Sequence, residues 1–261
     1  HQELNHERKV NPVDSMRGSY LGPRFKNETI EKELFYLKAN FKKYPEEELI
    51  NILAKELSEE KTVGWFQGRM EFGPRALGAR SILADPRSGK MQKELNLKVK
   101  FRESFRPFAP SVLSENVDDW FDLKSPSPYM LLVADIKKEM QILMTPKQEK
   151  LFGIDKLNIK RSKIPAVTHV DYSARIQTVH QYTNARYYKL IKRFKEITGC
   201  PILVNTSFNI RGEPIVCTTK DAFRCFMGTN LDILVIEDFI LFKSEQKESL
   251  KKDYKNKFSL D

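Results

Sequence analysis

From Ser173 to Lys243 two hydrophobic periodicities alternate, and few architectures accept such a pattern. "SARIQTVH" alternates as a strand, "NARYYKLIKRFKEITG" repeats near 3.6 residues and stops at Gly199, and "PILVNTSF" is a short buried strand. "TTKDAFRCFMGTN" then opens on Thr218, three residues before Asp221, a spacing that suits a capping box, and "DILVIEDFILFK" reads as one closing strand. Strands alternating with helices predict an α/β sandwich, with room for some antiparallel pairing.

The first half extends the same reading. "EEELINILAKELSEE" is an amphipathic helix with acids in its first turn, where the helix dipole favours them. "TVGWFQG" is a buried strand, and in the following "FGPRALGARS" Pro74 suits the first turn of a helix, whose N-terminus beside Gly73 would aim free amides at an anion. "KMQKELNLKVK" looks helical, "FRPFAPSVL" and "PYMLLVADI" look like strands, and "NVDDWF" supplies a helical turn. Residues 1–44 show little apolar periodicity and are expected to be a lead-in or junction. Residues 45–243 form the domain, with a charged surface excursion at 137–163, and residues 244–261 form a charged tail.

The 261 residues are 40% hydrophobic with 17 Phe and 9 Tyr, enough for a packed core, and no apolar run approaches the ~18 residues of a membrane helix. No secretion signal is read at the start, and a first residue of His1 suggests a trimmed chain. Cys200, Cys217 and Cys225 are odd in number and lack paired spacing, which fits buried thiols in a reducing cytoplasm better than disulfides or zinc.

The formal charge is +10, and it is concentrated: between Gly64 and Leu113 stand ten lysines and arginines against four acids. Such a balance points to an anionic partner, whether nucleic acid, a membrane face or a phosphorylated small molecule. In "QGRMEFGPRALGARSILADPR", Gly73 and Gly78 have P-loop separation, but Ala79 and Arg80 stand where Lys and Ser or Thr should follow, so that motif fails. What remains is a glycine loop with Arg75 able to fork onto phosphate or carboxylate oxygens, or arginines paired with Glu71, Asp85 and Glu103. In "LNLKVKFRESFRPFAPS", Lys100, Arg102 and Arg106 interleave with phenylalanines that would draw them from water, a loss that a bound anion or Glu103 would offset. In "THVDYSARIQTV", His169 and Asp171 could ligate a metal but lack a third ligand, and a histidine satisfied by its neighbours is the plainer reading; Arg175 stands beside them. "PILVNTSFNIRGEPIV" breaks from a strand into a polar turn, the usual ligand position of an open α/β sheet. There Ser207 fits a phosphate or acyl-oxygen donor better than a nucleophile, and a turn merely capping its own backbone stays open.

Together "VGWFQGRMEFGPRALGARSILADPR", "LNLKVKFRESFRPFAPSVL", "PAVTHVDYSARIQTV" and "LVNTSFNIRGEPIV" resemble the C-terminal part of the nodulation-type and antibiotic O-carbamoyltransferases, from about Tyr20 to Lys243. The resemblance implies a YrdC-like twisted mixed sheet flanked by helices that makes carbamoyl-adenylate from carbamoyl phosphate and ATP, with Mg2+ accompanying the nucleotide. It implies an N-terminal domain, absent here, that carries the family's transition metal and moves the carbamoyl group to an acceptor hydroxyl. By the same resemblance Arg75, Lys100 and Arg106 are catalytic; these three, with Arg175 and Ser207, bind carbamoyl phosphate and nucleotide; no metal is expected in this domain. Asn205, Asn209 and Arg211 are second-rank contacts, and Arg69 and Arg80 are structural. Catalysis would rest on positioning and electrostatics. An RNA-binding module with a basic YrdC-like face is the alternative; membrane partners are excluded from this reading and nucleic acid is disfavoured.

Overall fold

The computed structural model describes residues 14–157 and 159–251. The strands are β1 (Lys42–Lys43), β2 (Val63–Phe66), β3 (Arg80–Ala84), β4 (Ala109–Leu113), β5 (Leu132–Asp135), β6 (Ser173–Val179), β7 (Ile202–Ser207), β8 (Ile233–Ile236) and β9 (Phe239–Phe242). They form one nine-stranded sheet in the order β1-β9-β8-β2-β3-β7-β4-β6-β5. The β2/β8 and β4/β6 pairs are parallel and the others antiparallel, so the sheet is mixed, and helices flank it. The long helices are α1 (Asn27–Tyr36), α2 (Glu46–Ser58), α3 (Ala185–Thr198) and α4 (Thr219–Gly228).

Local chemistry accounts for the helix ends. Asn184 accepts from the Tyr187 amide to open α3, Gly199 closes it in the left-handed region at φ 74°, and Thr218 and Asp221 form a reciprocal capping box on α4. Leu49, Leu53 and Leu57 of α2 and Leu190, Ile191 and Phe194 of α3 are fully buried, and the two helices pack together. Trp65 of β2 meets Tyr187 of α3 with ring centroids 6.3 Å apart, which puts α3 over the sheet face that carries Trp65.

Three expectations change. No helix follows Gly73: residues 71–79 hold neither helix nor strand, and the Leu77 and Ala79 amides, which a helix would have bonded to its own carbonyls, go to a carboxylate described below. The closing strand is a hairpin, β8 and β9, turned at Glu237 with φ 47°. The segment after Lys90 is helical as expected, as an α-helix over Met91–Glu94 that widens into a π-helix over Leu95–Val99. The lead-in is part of the fold from α1 onward, since Ile30 and Leu34 are fully buried and β1 adds an edge strand against β9; residues 1–13 lie outside the described residues. The 137–163 excursion contains short helices at Pro146–Glu149 and Gly153–Leu157 and is tied at its base by a bridge from Gln141 to Ser162. The tail packs back through Gln246, whose amide donates to Asn40 O at 2.7 Å, and the tail beyond residue 251 lies outside the described residues. Among the described residues no helix is long and apolar enough to cross a membrane.

The register brings several loops to one place. Because β7 runs antiparallel to β4 and β3, while β4 runs parallel to β6, the end of β7, the starts of β3, β4 and β6, and the exit of β2 share one end of the sheet. Alternation puts Arg175 and Gln177 of β6 on one face, and Asn205 and Ser207 of β7 on one face; the hydrogen bond from Asn205 to Gln177 shows these faces to be the same.

Gly78, over that face, has φ 100°, and a Cβ there would lie 2.2 Å from the Tyr187 ring. Gly78→Ala is expected to lower unfolding free energy by about 2–4 kcal/mol in urea titration, combining backbone strain with overpacking; a loss below about 0.5 kcal/mol would contradict this packing.

Candidate active site

The loop between β2 and β3 is organised by Glu71. Its carboxylate is 5% exposed and accepts the amides of Leu77 at 2.6 Å, Ala79 at 2.7 Å and Arg80 at 3.2 Å. The loop carbonyls turn to the sheet and to neighbouring side chains: Asn205 Nδ2 donates to Ala76 O at 3.1 Å, Gln177 Nε2 to Leu77 O at 2.7 Å and Trp65 Nε1 to Gly78 O at 2.9 Å. Tyr20 adds a donation to Leu77 O at 2.7 Å. Arg80, fully buried, stacks 3.4 Å above the Phe66 ring centroid and donates to the carbonyls of Gln67, Gly68, Ala79 and Pro23; burial lowers its pKa to about 10. Arg69, exposed, donates to Gly22 O.

Arg75 projects from this fixed loop and is exposed, with no ion pair or hydrogen bond among the described residues. It lines a largely apolar hollow of about 290 Å³ with Phe72, Pro74, Leu77, Tyr129 and Leu131. Arg175 on β6 is half-buried, and its pKa is lowered first by burial and then by the positive charge of Arg75, which places the two guanidiniums in each other's field. Two like charges within each other's field favour an anion near them.

The second part of the site is a cavity of about 250 Å³ lined by Lys100, Arg102, Arg106, Ser207, Asn209, Arg211 and Glu213. Lys100 is 3% exposed, and its ammonium contacts Ser207 O at 2.7 Å, Ser207 Oγ at 3.2 Å, Asn209 O at 2.8 Å and Asn209 Oδ1 at 2.7 Å. It therefore fastens the turn after β7 from beneath. Burial and then the charge of Arg102 lower its pKa to about 7, while the four oxygens oppose loss of the proton. Ser207 Oγ donates to Asn209 Oδ1 at 2.7 Å, and Asn209 Nδ2 donates to Glu213 O at 2.5 Å.

Arg106 and Arg211 share one carboxylate, Glu103, at 3.1 Å and 3.2 Å. Arg102 is set by Asn96, whose Oδ1 accepts from its Nε at 2.7 Å, and its guanidinium lies 5.0 Å from the Phe108 centroid. Burial, then Arg106, lower its pKa to about 10 against the opposing pull of Glu103. Four cations thus surround the cavity with two acids, Glu103 and Glu213.

Of the residues singled out from the sequence, Lys100, Arg106, Ser207, Asn209 and Arg211 line this cavity, Arg75 and Arg175 form the adjacent pair, and Asn205 is a buried strut beneath the Arg75 loop. Arg102, Glu71 and Glu103 were left out of that set. Arg102 and Glu103 carried a signal, since they lie inside K-F-R-E-S-F-R; Glu71 carried none that distinguishes a carboxylate facing amides from one facing an arginine. His169 Nδ1 lies 3.2 Å from Ser173 Oγ; Cys200 and Cys225 are buried as expected, whereas Cys217, just before the α4 cap, is half-buried.

Fixed cations with hydroxyl and amide groups gather at one end of a mixed α/β sheet, a chemistry that favours anions. Residues 54–243 match the family model described as Carbamoyltransferase C-terminus, and the chain belongs to that family. It is similar to an uncharacterized protein of Synechocystis sp. (58% identity over all of this chain and 43% of that protein). It is also similar to nodulation protein NolO of Bradyrhizobium diazoefficiens (38% identity over 89% of this chain and 39% of that protein). The chain thus spans less than half the length of these relatives. A solved full-length HypF in its phosphate- and nucleotide-bound form aligns at TM-score 0.45 and 18% identity over 78% of this chain and 22% of its own, a likeness too remote to carry an argument.

Lys100 adds a titratable charge to the cavity. Sulfate, whose own charge is constant, should bind more weakly as pH rises from 6 to 8, by up to about tenfold as Lys100 deprotonates through about 7. Calorimetry on Lys100→Met should show a weaker and flatter dependence; an equally steep one would assign the effect elsewhere.

Proposed function

We propose that this chain forms carbamoyl-adenylate from carbamoyl phosphate and ATP, and that an N-terminal domain of the longer polypeptide then transfers the carbamoyl group to an acceptor hydroxyl. Membership of the carbamoyltransferase family supports the reaction class. The observation that carries the reading is the excess of fixed cations at one end of the sheet: Lys100, Arg102, Arg106 and Arg211 around one cavity, and the exposed Arg75 within the field of the half-buried Arg175.

Two polyanions must approach one another, and preorganised guanidiniums neutralise them without reorganising at the moment of reaction. Arg106 and Arg211 are the side chains able to leave Glu103 for a phosphate, because their ion pairs are partly exposed and exchangeable. Lys100 acts through the turn it fastens, holding Ser207 Oγ and the Asn209 amide group at the cavity. The Ser207 proton goes to Asn209 Oδ1, so the hydroxyl would donate to an acyl or phosphate oxygen by turning from Asn209, and it is not read as a nucleophile because no histidine or carboxylate is bonded to it among the described residues. Mg2+ would enter with ATP; among the described residues no three His, Cys, Asp or Glu are grouped to hold a metal. Nothing favours the RNA-binding alternative.

The balance of atoms adds a requirement. Releasing both phosphate and pyrophosphate while making carbamoyl-adenylate consumes one water: water cleaves carbamoyl phosphate to carbamate and phosphate, and the carbamate oxygen then displaces pyrophosphate at the α-phosphorus of ATP.

In carbamoyl phosphate-dependent pyrophosphate release, Arg106→Ala and Arg211→Ala should each lose about 2–4 kcal/mol of transition-state stabilisation. Ser207→Ala should keep measurable activity. Wild-type rates in both arginine variants would refute the assignment, and complete loss in Ser207→Ala would restore the nucleophile.

A further inference from the structure

The water required by that balance needs a group to take its proton, and the carboxylates of the arginine-rich cavity are engaged, Glu103 with Arg106 and Arg211 and Glu213 with the Ile210 amide. His169 stands nearby. Ser173, Arg175 and Gln177 alternate along β6 onto one face, the face on which Gln177 holds the loop that carries Arg75. His169 turns back onto the start of that strand through its amide to Ser173 O at 2.9 Å, and its Nδ1 lies 3.2 Å from Ser173 Oγ. The imidazole is thus anchored one same-face step from Arg175, about 7 Å along the strand.

Its tautomer follows from its partners. Ser173 Oγ donates its only proton to Asp171 Oδ1 at 2.7 Å, so towards the ring it can only accept. Nδ1 therefore carries the proton and Nε2 the lone pair, and Nε2 has no hydrogen bond among the described residues. The arrangement is a histidine oriented by a hydroxyl and, through it, by a carboxylate.

We propose that His169 is the general base for hydrolysis of carbamoyl phosphate held by Arg75 and Arg175, with Ser173 and Asp171 as its positioning residues; this rests on the carbamoyl phosphate reading above. Water attacks the carbonyl carbon and gives one proton to Nε2, and a carbon–oxygen bond forms. The bond from that carbon to the phosphate oxygen then breaks, and the leaving phosphate takes the proton back from Nε2. Carbamic acid and hydrogen phosphate result, the histidine is regenerated, and carbamic acid ionises to the carbamate that meets ATP. Burial first, and then the charges of Arg175 and Arg161, hold the ring below the usual histidine pKa against the opposing charge of Asp171, so the lone pair is available at neutral pH.

The test is phosphate release from carbamoyl phosphate in the presence of ATP and Mg2+. His169→Asn keeps an N–H where Nδ1–H stands and removes the distal base. It should lower kcat about 100-fold or more, leave KM for carbamoyl phosphate within about threefold, and abolish the fall in rate that wild type shows as acid protonates the ring. Wild-type turnover with His169→Asn within about threefold of it, or retaining the acid limb, would overturn the role of His169 alone. No carbamoyl phosphate-dependent release by wild type would overturn the reading of the site, and this proposal with it. Independently of turnover, nitrogen NMR of the wild-type chain should show His169 protonated at Nδ1; protonation at Nε2 would overturn the relay.

Discussion

The Glu71 carboxylate is the constraint on which the site depends. A buried carboxylate is costly unless hydrogen-bonded, and three backbone amides converge on its Oε1, each charge-assisted contact contributing about 1.5–3 kcal/mol, while Oε2 is buried without a partner among the described residues. In a phosphate-binding glycine loop the ligand fills the ring of amides. Here the protein fills it with its own anion. The loop is rigid before any substrate arrives, and recognition passes to side chains: Arg75 above it and Arg175 across from it. Asn205 and Gln177, which grip the loop carbonyls from the sheet, complete the same arrangement from below.

Charge in the second cavity is set by a similar internal opposition. Glu103 holds Arg106 and Arg211 at nearly equal distances, so neither guanidinium is free to collapse onto the protein elsewhere, yet both remain near the surface where a more highly charged group can displace the carboxylate. Lys100 differs in being enclosed. With four oxygens around it and almost no solvent, its effect on a ligand is transmitted through Ser207 and Asn209 and not by contact.

Much of this was legible because the relevant signals are local. Strand and helix periodicity located α2, α3, α4 and the strands that flank them, and the breaks after Phe66 and Val204 marked where side chains could meet a ligand. The misses have physical causes. Pro74 satisfies a helix start, but Glu71 takes the Leu77 and Ala79 amides that a helix would have bonded to its own carbonyls. Glu237 and Asp238 turn a hairpin without the glycine or asparagine that usually marks a left-handed turn, so β8 and β9 read as one strand. In α1 only Ile30 and Leu34 are buried, too few for a periodic signal. Arg75 and Arg80 look alike in sequence; the first stands on a loop in solvent, and the second opens β3 over Phe66. His169 and Asp171 invited comparison with a metal site, whereas the shared partner, Ser173, is two and four residues away and becomes visible only when the turn closes.

Strand order has a consequence for how the molecule is made. β2, which delivers the Arg75 loop, lies between β3 and β8, and β8 is drawn from residues about 170 positions later in the chain. Until the β8–β9 hairpin emerges from the ribosome, β2 presents an open parallel edge and α4 lacks its β8 contacts. Contacts so distant in sequence slow folding, and an uncovered apolar strand is a site for aggregation. The nascent chain therefore waits, with its centre unfinished, for the β8–β9 hairpin to arrive, and a ribosome stalled just short of Ile233 would leave a polypeptide that holds every cationic residue of the site but lacks the strand that covers the open edge of β2.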